Sequence, residues 1–304
     1  MSNKMKANLL LLTAAFIWGT AFVAQKSGGQ IGAFTFNGIR TFIGGLVLVP
    51  LVLKNHKDKS QPIVNKTELI GGIVCGFFLF VAASLQQFGL AYTTAGKAAF
   101  ITTLYVVFCP ILYLLVFKKK TRPIVWLCVV LDVIGLYLLC MTDASFKIQL
   151  GDTLVILCAI AFAAQMNAVD YYVERIDGLK LSCIQFLFSG LLGMICMVIF
   201  ESPVSMSNIM SAWFPILYAG VISCGIAYTF QVLGQREADP AIAALILCLE
   251  SVFGVLAGVV LLHETMTMRE IMGCIIMFAA VVISNLPEKK KKSEVPTEGG
   301  SSPQ

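Results

Sequence analysis

Residues 82–117 read AASLQQFGLAYTTAGKAAFITTLYVVFCPILYLLVF, and the chain uses this pattern twice. Gln86, Gly89, Ala98, Ile101, Leu104, Val107 and Phe108 return at a constant offset of 145 positions as Gln231, Gly234, Ala243, Ile246, Leu249, Val252 and Phe253. Ala82 and Ala227 also match. The register holds across two apolar segments and the break between them without a gap. A constant offset of this kind indicates a duplicated unit better than scattered identities among apolar residues do.

Working outward, the rest of the chain is as apolar as this stretch. Hydrophobic residues make up 58% of it and charged residues 13%, with a mean hydropathy of +0.85. Soluble domains average roughly 45–50% apolar and about 25% charged. The class is therefore an all-α polytopic membrane protein. The net charge of +5 does not point to nucleic acid, because the basic residues gather in particular connectors. The ten cysteines lie in or against apolar runs and form no C-x-x-C pair, so they read as small packing residues. Lys4 and Lys6 precede a first membrane helix and not a cleaved signal.

A bilayer core takes about 20 apolar residues per helix. Ten segments qualify: Ala7–Ala24, Ala33–Leu53, Leu69–Leu90, Ala95–Phe117, Pro123–Met141, Asp152–Val173, Leu181–Phe200, Trp213–Gly234, Ala241–Leu262 and Met268–Leu286. Their connectors alternate in charge. One set holds Lys4, Lys6, Lys54, Lys57, Lys59, Lys66, the run Lys118 to Arg122, Arg175, Lys180, Arg236 and Lys289 to Lys292. The other holds Lys26, Lys147, Arg269 and Lys97. The bias predicts both termini in the cytoplasm of a multi-pass protein of the cell (inner) membrane. Five helices per half is an odd number, so the halves must cross in opposite senses, as a 5+5 inverted-topology repeat. The expected division is 1–142, 143–287 and a disordered, Lys-rich tail at 288–304, whose lysines lie near anionic lipid headgroups.

Two hairpins occupy corresponding places. One joins the third and fourth segments through Ala91 to Gly96, and the other joins the eighth and ninth through Gln235 to Asp239. Pro240 fits a first helical position with Asp239 as N-cap. Pro110 removes a backbone hydrogen bond within the fourth segment and is a candidate hinge.

Charges inside a bilayer cost at least about 2.5–3.5 kcal/mol each, so they usually face a cavity or a partner. Asp170 sits near a helix end beside Glu174 and Arg175, where water can reach it. Arg40 is about two turns into the second helix, within snorkelling range. Lys97 is a rim lysine whose small neighbours would let it reach inward. Asp132 lies mid-segment, and no partner can be named from the sequence. Glu250 is about halfway along the ninth helix, opposite Tyr105 in the repeat register. It could hold a cationic group, carry a proton, or pair with Arg40 or Lys97. Trp18, Thr20, Gln25, Gln86, Gln87, Gln165, Asn167 and Gln231 add polar groups to apolar runs. Gln86 and Gln231 are repeat mates. Such a set cannot all face lipid, so a cavity or polar seam must exist.

No catalytic set, nucleotide loop or cofactor motif appears, and His263-Glu264 lacks the second His of a metal site. The order of several short pieces resembles the EamA-type branch of the drug/metabolite transporter superfamily. These are Ala15-Phe16-Ile17-Trp18-Gly19, Arg40, Thr94 to Ile101, Tyr105 to Pro110, Leu249 to Phe253, and Leu262-His263-Glu264. Ser251 stands where the family usually has proline, and His263 where it usually has glycine. The resemblance implies ten helices around a central cavity and alternating access for small metabolites, often exported amino acids. It leads to a secondary transporter for polar or amphipathic metabolites or drugs, without cofactor or metal. Trp18, Gln86, Tyr105, Gln165 and Gln231 would contact substrate, Arg40, Lys97 and Glu250 would supply charge, and Glu250 would carry a coupling proton. An uncoupled facilitator and a non-transporting sensor are the alternatives, and monomer and homodimer fit the sequence equally.

Overall fold

The computed structural model describes residues 3–28, 31–56, 62–93, 95–141, 149–201, 205–262 and 265–286, the side chains at 22–28, 95, 96, 258, 261 and 262 excepted. The junction residues Asp143 to Phe146, Lys147, the side chain of Gln25, Thr94, the pair His263-Glu264 and the 288–304 tail lie outside them. Among the described residues the chain is helical, with no strand. In order the elements are α1 Asn3–Gly28, α2 Ala33–Asn55, α3 Lys66–Leu90, α4 Ala95–Thr103, α5 Tyr105–Phe117, α6 Pro123–Cys140, α7 Leu150–Val173 and α8 Gly178–Phe200. There follow α9 Met206–Ser211, α10 Trp213–Leu217, a π-helical segment Tyr218–Tyr228, α11 Thr229–Gln235, α12 Pro240–Leu247, α13 Leu249–Leu262 and α14 Met268–Ser284.

Among the described residues eight stretches are long and apolar enough to cross a membrane: α2, α3, residues 97–117, α6, α7, α8, residues 213–235 and residues 240–257. α1 and α14 cover the first and tenth expected segments as well, although α14 has only 17 residues. The outward side chains are apolar, as lipid-facing surface requires. Leu115, Val198, Ile199, Phe200 and Val260 are all more than half exposed.

Local chemistry sets the helix ends. Asn65 and Glu68 close a capping box at the start of α3. Asp239 accepts from the Ala241 N–H and Pro240 stands at the first position of α12, as the sequence indicates. Asp177 caps α8 in the same way. Glu201, at the far end of α8, caps α2 across space. Its carboxylate accepts from the Phe34 N–H at 2.8 Å and the Thr35 N–H at 2.8 Å. These caps satisfy helix-end donors that have no partner within the helix itself.

Three helices are interrupted within the core. The fourth expected segment breaks at Leu104, between α4 and α5, and not at Pro110, over which α5 runs unbroken. The ninth breaks at Cys248, between α12 and α13. The Cys248 thiol donates to the Thr103 carbonyl at 3.5 Å, so the two breaks touch. Thr103 and Cys248 are themselves 145 residues apart. In the eighth segment the backbone loosens into a π-helix of 11 residues. Such wide turns are rare and cluster at functional sites.

The principal neighbours are α2 with α8, α3 with α7 and α8, α6 with α14, α1 with α13, and α2 with the π-helix. The largest core joins α1, α4, α5, α6, α7, α12, α13 and α14. α12 is buried along its whole length.

Candidate functional site

A partly open cavity, with about 600 Å³ of empty space once the adjoining solvent is included, lies among α1, α2, α3, the two broken helices, α7 and the π-helix. Its floor is the pair of breaks. Thr102 and Tyr105 reach it from one break, and Leu247 and Glu250 from the other. A helix that stops and restarts turns its side chains off the regular 3.6-residue spiral. Residues next to the break can therefore point inward where a continuous helix would bury them against a neighbour.

Two charges face this space. Glu250 is 7% exposed and Arg40 is 7% exposed. Neither forms an ion pair or accepts or donates a side-chain hydrogen bond among the described residues. The Arg40 guanidinium lies 5.2 Å from the Phe36 ring centroid, and its Nε–H has no acceptor. The expected alternatives of a Glu250 pair with Arg40 or Lys97 are thus not formed within 4.0 Å. Two opposite charges held apart in one low-dielectric cavity are expensive unless something between them carries the complementary charges.

The aromatic wall is built by α1 and the π-helix. Trp18 packs on Tyr228 at 4.5 Å between ring centroids, and Phe186 meets the far side of Tyr228 at 5.5 Å. The Trp18 indole N–H points to the Ser223 carbonyl at 3.4 Å. Ser223, in the π-helix, itself lines the cavity.

On the opposite side runs a ladder of amides. Gln165 donates to Gln185 at 3.2 Å, Gln231 donates to Gln165 at 3.4 Å and to Gln235 at 3.1 Å, and Gln235 donates to the Met166 carbonyl at 3.1 Å. All four side chains are buried. The ladder ties α8, α7 and α11 together and orients Gln165 and Gln231 at the cavity edge. It leaves the Gln231 Oε1 without a donor and the Gln185 Nε2 without an acceptor. Gln86 reaches the cavity from α3 and donates to Thr102 at 3.3 Å.

Of the residues singled out in the sequence, Trp18, Arg40, Gln86, Tyr105, Gln165, Gln231 and Glu250 all line this cavity. Lys97 does not. Its ammonium donates to Asp152 at 3.0 Å, a pair whose side chains are 16% and 5% exposed. Asp152 also accepts from Thr93 at 2.5 Å and from the Gln149 N–H at 2.9 Å. This cluster fastens the start of α4 to the start of α7. Lys97 has an anion waiting for it 55 residues away in the chain, and that partner decides its position. Pro110 is buried in α5 and lies outside the lining.

The sequence reading passed over several residues. Tyr228, Phe162, Met166 and Leu247 line the cavity but look like any other apolar residue of a span. Gln185 carried the same signal as Gln165, an amide in an apolar run, whereas Gln235 stands at the start of the charged connector and carried none. A second buried ion pair, Lys180 to Glu68 at 2.9 Å, joins the starts of α8 and α3.

The model of the EamA-like transporter family matches the chain twice, at residues 5–141 and 149–286. A protein of Archaeoglobus fulgidus, named only as an uncharacterized transporter, is 30% identical over 93% of this chain and 87% of its own length. YwfM of Bacillus subtilis, also an uncharacterized transporter, is 27% identical over 95% of this chain and 98% of its own. YoaV of the same organism is 21% identical over 95% and 99%. A crystal structure titled only as that of a protein superposes with a TM-score of 0.76 at 18% identity, over 92% of this chain and 96% of the other. At that identity the likeness speaks to the fold alone.

Proposed function

We propose, from the premise that the chain belongs to the EamA-like transporter family, that it is a secondary transporter which exports small zwitterionic metabolites, amino acids or close relatives, across the cell membrane by alternating access. The observation that carries this reading is the pair Arg40 and Glu250, buried in one cavity and without an ion pair among the described residues. A molecule bearing a carboxylate and an ammonium complements both. Its carboxylate would take the Arg40 fork and its ammonium the Glu250 oxygens. The apolar part would lie on Trp18 and Tyr228, and the amide edge of Gln165 and Gln231 would fix orientation.

Ten spans in a 5+5 inverted repeat, divided at 1–142 and 143–287, suit this cycle. Two separate matches to one family model support the division. The packing supports it too. Under the repeat, α3 on α7 corresponds to the eighth span on α1, and α13 on α1 to the α4–α5 span on α7, and all of these contacts occur. The breaks at Leu104 and Cys248 fall in corresponding places and touch at Thr103 and Cys248. Alternating access then consists of rocking the two hairpins about this shared break. With both termini cytoplasmic, the Lys97–Asp152 pair closes the outer face and the Lys180–Glu68 pair the inner one. Glu250, with no fixed partner, is the group that would carry a coupling proton.

The test is flux into proteoliposomes of purified protein, with a panel of L-amino acids, sugars, nucleosides and organic cations, with and without a pH gradient. The reading expects saturable flux of amino acids that the gradient drives, lost in Arg40→Gln and uncoupled from the gradient in Glu250→Gln. Flux of another class would remove the zwitterion assignment. Flux that ignores the gradient would make the protein a facilitator. Normal gradient-driven flux in Glu250→Gln would remove the coupling role.

A further inference from the structure

The amide ladder beside the cavity has a direction, and the residue that sets it lies outside the cavity. A carboxamide donates at one end and accepts at the other, so its orientation follows from what it faces. A backbone carbonyl only accepts. Gln235 meets the Met166 carbonyl at 3.1 Å and must turn its Nε2 there. Its Oε1 is then the end presented to Gln231, one turn back on α11. Gln231 must answer with Nε2, at 3.1 Å. The same Nε2 donates to the Gln165 Oε1 at 3.4 Å, and Gln165 in turn donates to Gln185 at 3.2 Å. Each amide inherits its orientation from the one before it, and the first takes it from the main chain.

Gln231 is left with one unused end. Both hydrogens of its Nε2 are spent on Gln165 and Gln235, and its Oε1 has no donor among the described residues. Gln231 lines the cavity, whereas Gln235 does not. Both are buried. A buried acceptor without a donor is costly, and native structures keep few of them. A molecule bound in the cavity that brings a donor to Gln231 removes that cost.

The first half of the chain has no such anchor. Gln86 is the repeat mate of Gln231, and Leu90 stands at the position that corresponds to Gln235. Gln86 bonds instead to the Thr102 hydroxyl, at 3.3 Å. A hydroxyl both gives and takes a hydrogen bond, so it suits either end of an amide. Of the two mates at the cavity, Gln231 is the one whose polarity is fixed from behind.

We propose that Gln235 is a positioning residue for cargo selection: it holds the Gln231 amide so that this edge of the cavity offers an acceptor and no donor, and the cargo donates to it. With the cargo's ammonium assigned to Glu250 on α13, the donor is a hydroxyl or an amide N–H on the cargo's side chain. The inference deepens the zwitterion reading above and rests on it for the cargo, while the polarity of the ladder stands on the hydrogen bonds alone.

The experiment uses the full chain in lipid. Trp126→Phe and Trp213→Phe leave Trp18 as the only tryptophan, and its packing against Tyr228 in the cavity wall makes its emission a report of occupancy. Two pairs of probes are titrated, each differing by a donor replaced with a methyl group. L-Glutamine is compared with 2-amino-5-oxohexanoate for the amide, and L-threonine with L-valine for the hydroxyl. In one pair at least, the donor is expected to bind about tenfold more tightly or better. Gln235→Met should bring that ratio to within about twofold. Gln235→Glu should keep it, because a protonated carboxyl gives its O–H to the Met166 carbonyl and accepts from Gln231 as the amide does.

Nuclear magnetic resonance of ¹⁵N-glutamine-labelled protein reads the ladder without cargo. The Gln231 side-chain signal, assigned by its loss in Gln231→Met, should show two protons slow to exchange with solvent, and Gln235→Met should speed that exchange several-fold. Fast-exchanging Gln231 protons in the parent chain would overturn the proposal. So would binding no tighter for the donor in either pair, or a preference that survives Gln235→Met. The first two results need no change at Gln235, so they decide the matter even if Gln235→Met does not fold. If no amino acid alters the Trp18 emission while the Gln231 protons stay slow, the zwitterion reading fails and the fixed polarity stands.

Discussion

At Gly19 α1 packs directly on the backbone of α13 beside Glu250, and replacing it tests that approach. A Cβ at Gly19 would stand 2.6 Å from the Glu250 carbonyl oxygen, 2.7 Å from the Gly254 nitrogen and 2.7 Å from the Phe253 Cβ. Two of these three atoms are backbone and none is the end of a flexible side chain. Ordinary contact starts at 3.4 Å, so α1 and α13 would have to part by about 0.8 Å. Overpacking of this kind costs about 1–3 kcal/mol, against which Ala gains up to ~1 kcal/mol of helix propensity over Gly. Gly225 supplies the control. There the nearest neighbours of an added Cβ are 3.5 to 3.8 Å away, ordinary contacts. Propensity acts on both sites, so the difference between the variants isolates the clash, at about 1–3 kcal/mol against Gly19→Ala. Thermal unfolding in the same lipid, read by tryptophan fluorescence, measures it. Because Trp18 precedes Gly19 and packs against Tyr228, the Gly19 variant should also shift the emission of the folded protein. Equal stability of Gly19→Ala and Gly225→Ala would refute the close approach of α1 to Glu250.

Lys97→Met leaves Asp152 buried with a charge that, among the described residues, Thr93 and the Gln149 N–H address. It should cost more stability than the double variant with Asp152→Asn, by about 1–3 kcal/mol, in a thermal-unfolding cycle. Gln165→Leu cuts the amide ladder at its middle and strands Gln185 and Gln231. Its expected effect is a loss of about 1–3 kcal/mol and faster amide exchange in α11, read by mass spectrometry. Asp239→Ala removes the cap of α12 and should cost about 1 kcal/mol, with Asp239→Asn restoring most of it.

How much of the site was legible follows from what each residue needs. Gln86, Gln165, Gln231, Arg40 and Glu250 stand out in the chain because a polar group in an apolar run has to go somewhere other than lipid, and they converge on one cavity. Trp18 and Tyr105 line it with them. Tyr228 carried no such mark, since an aromatic residue is at home in any span. Lys97 was legible as a residue that needs an explanation but not as one that has Asp152, because a pairing across 55 residues depends on where two helix starts meet. Asp132 was legible as costly. Its isolation emerges only once the helices packed around α6 are in place.

The sequence by itself determined the class, the order of the apolar segments and the repeat register. Hydropathy over a span and identity at a fixed offset are properties of the chain taken along its length. Tertiary structure alone decided that the fourth helix breaks at Leu104 and not at Pro110, that the eighth segment winds as a π-helix, and that the breaks meet at Thr103 and Cys248. A break or a wide turn leaves backbone groups short of their usual partners. It persists only where neighbouring helices supply contacts to compensate, and those neighbours are distant in the chain.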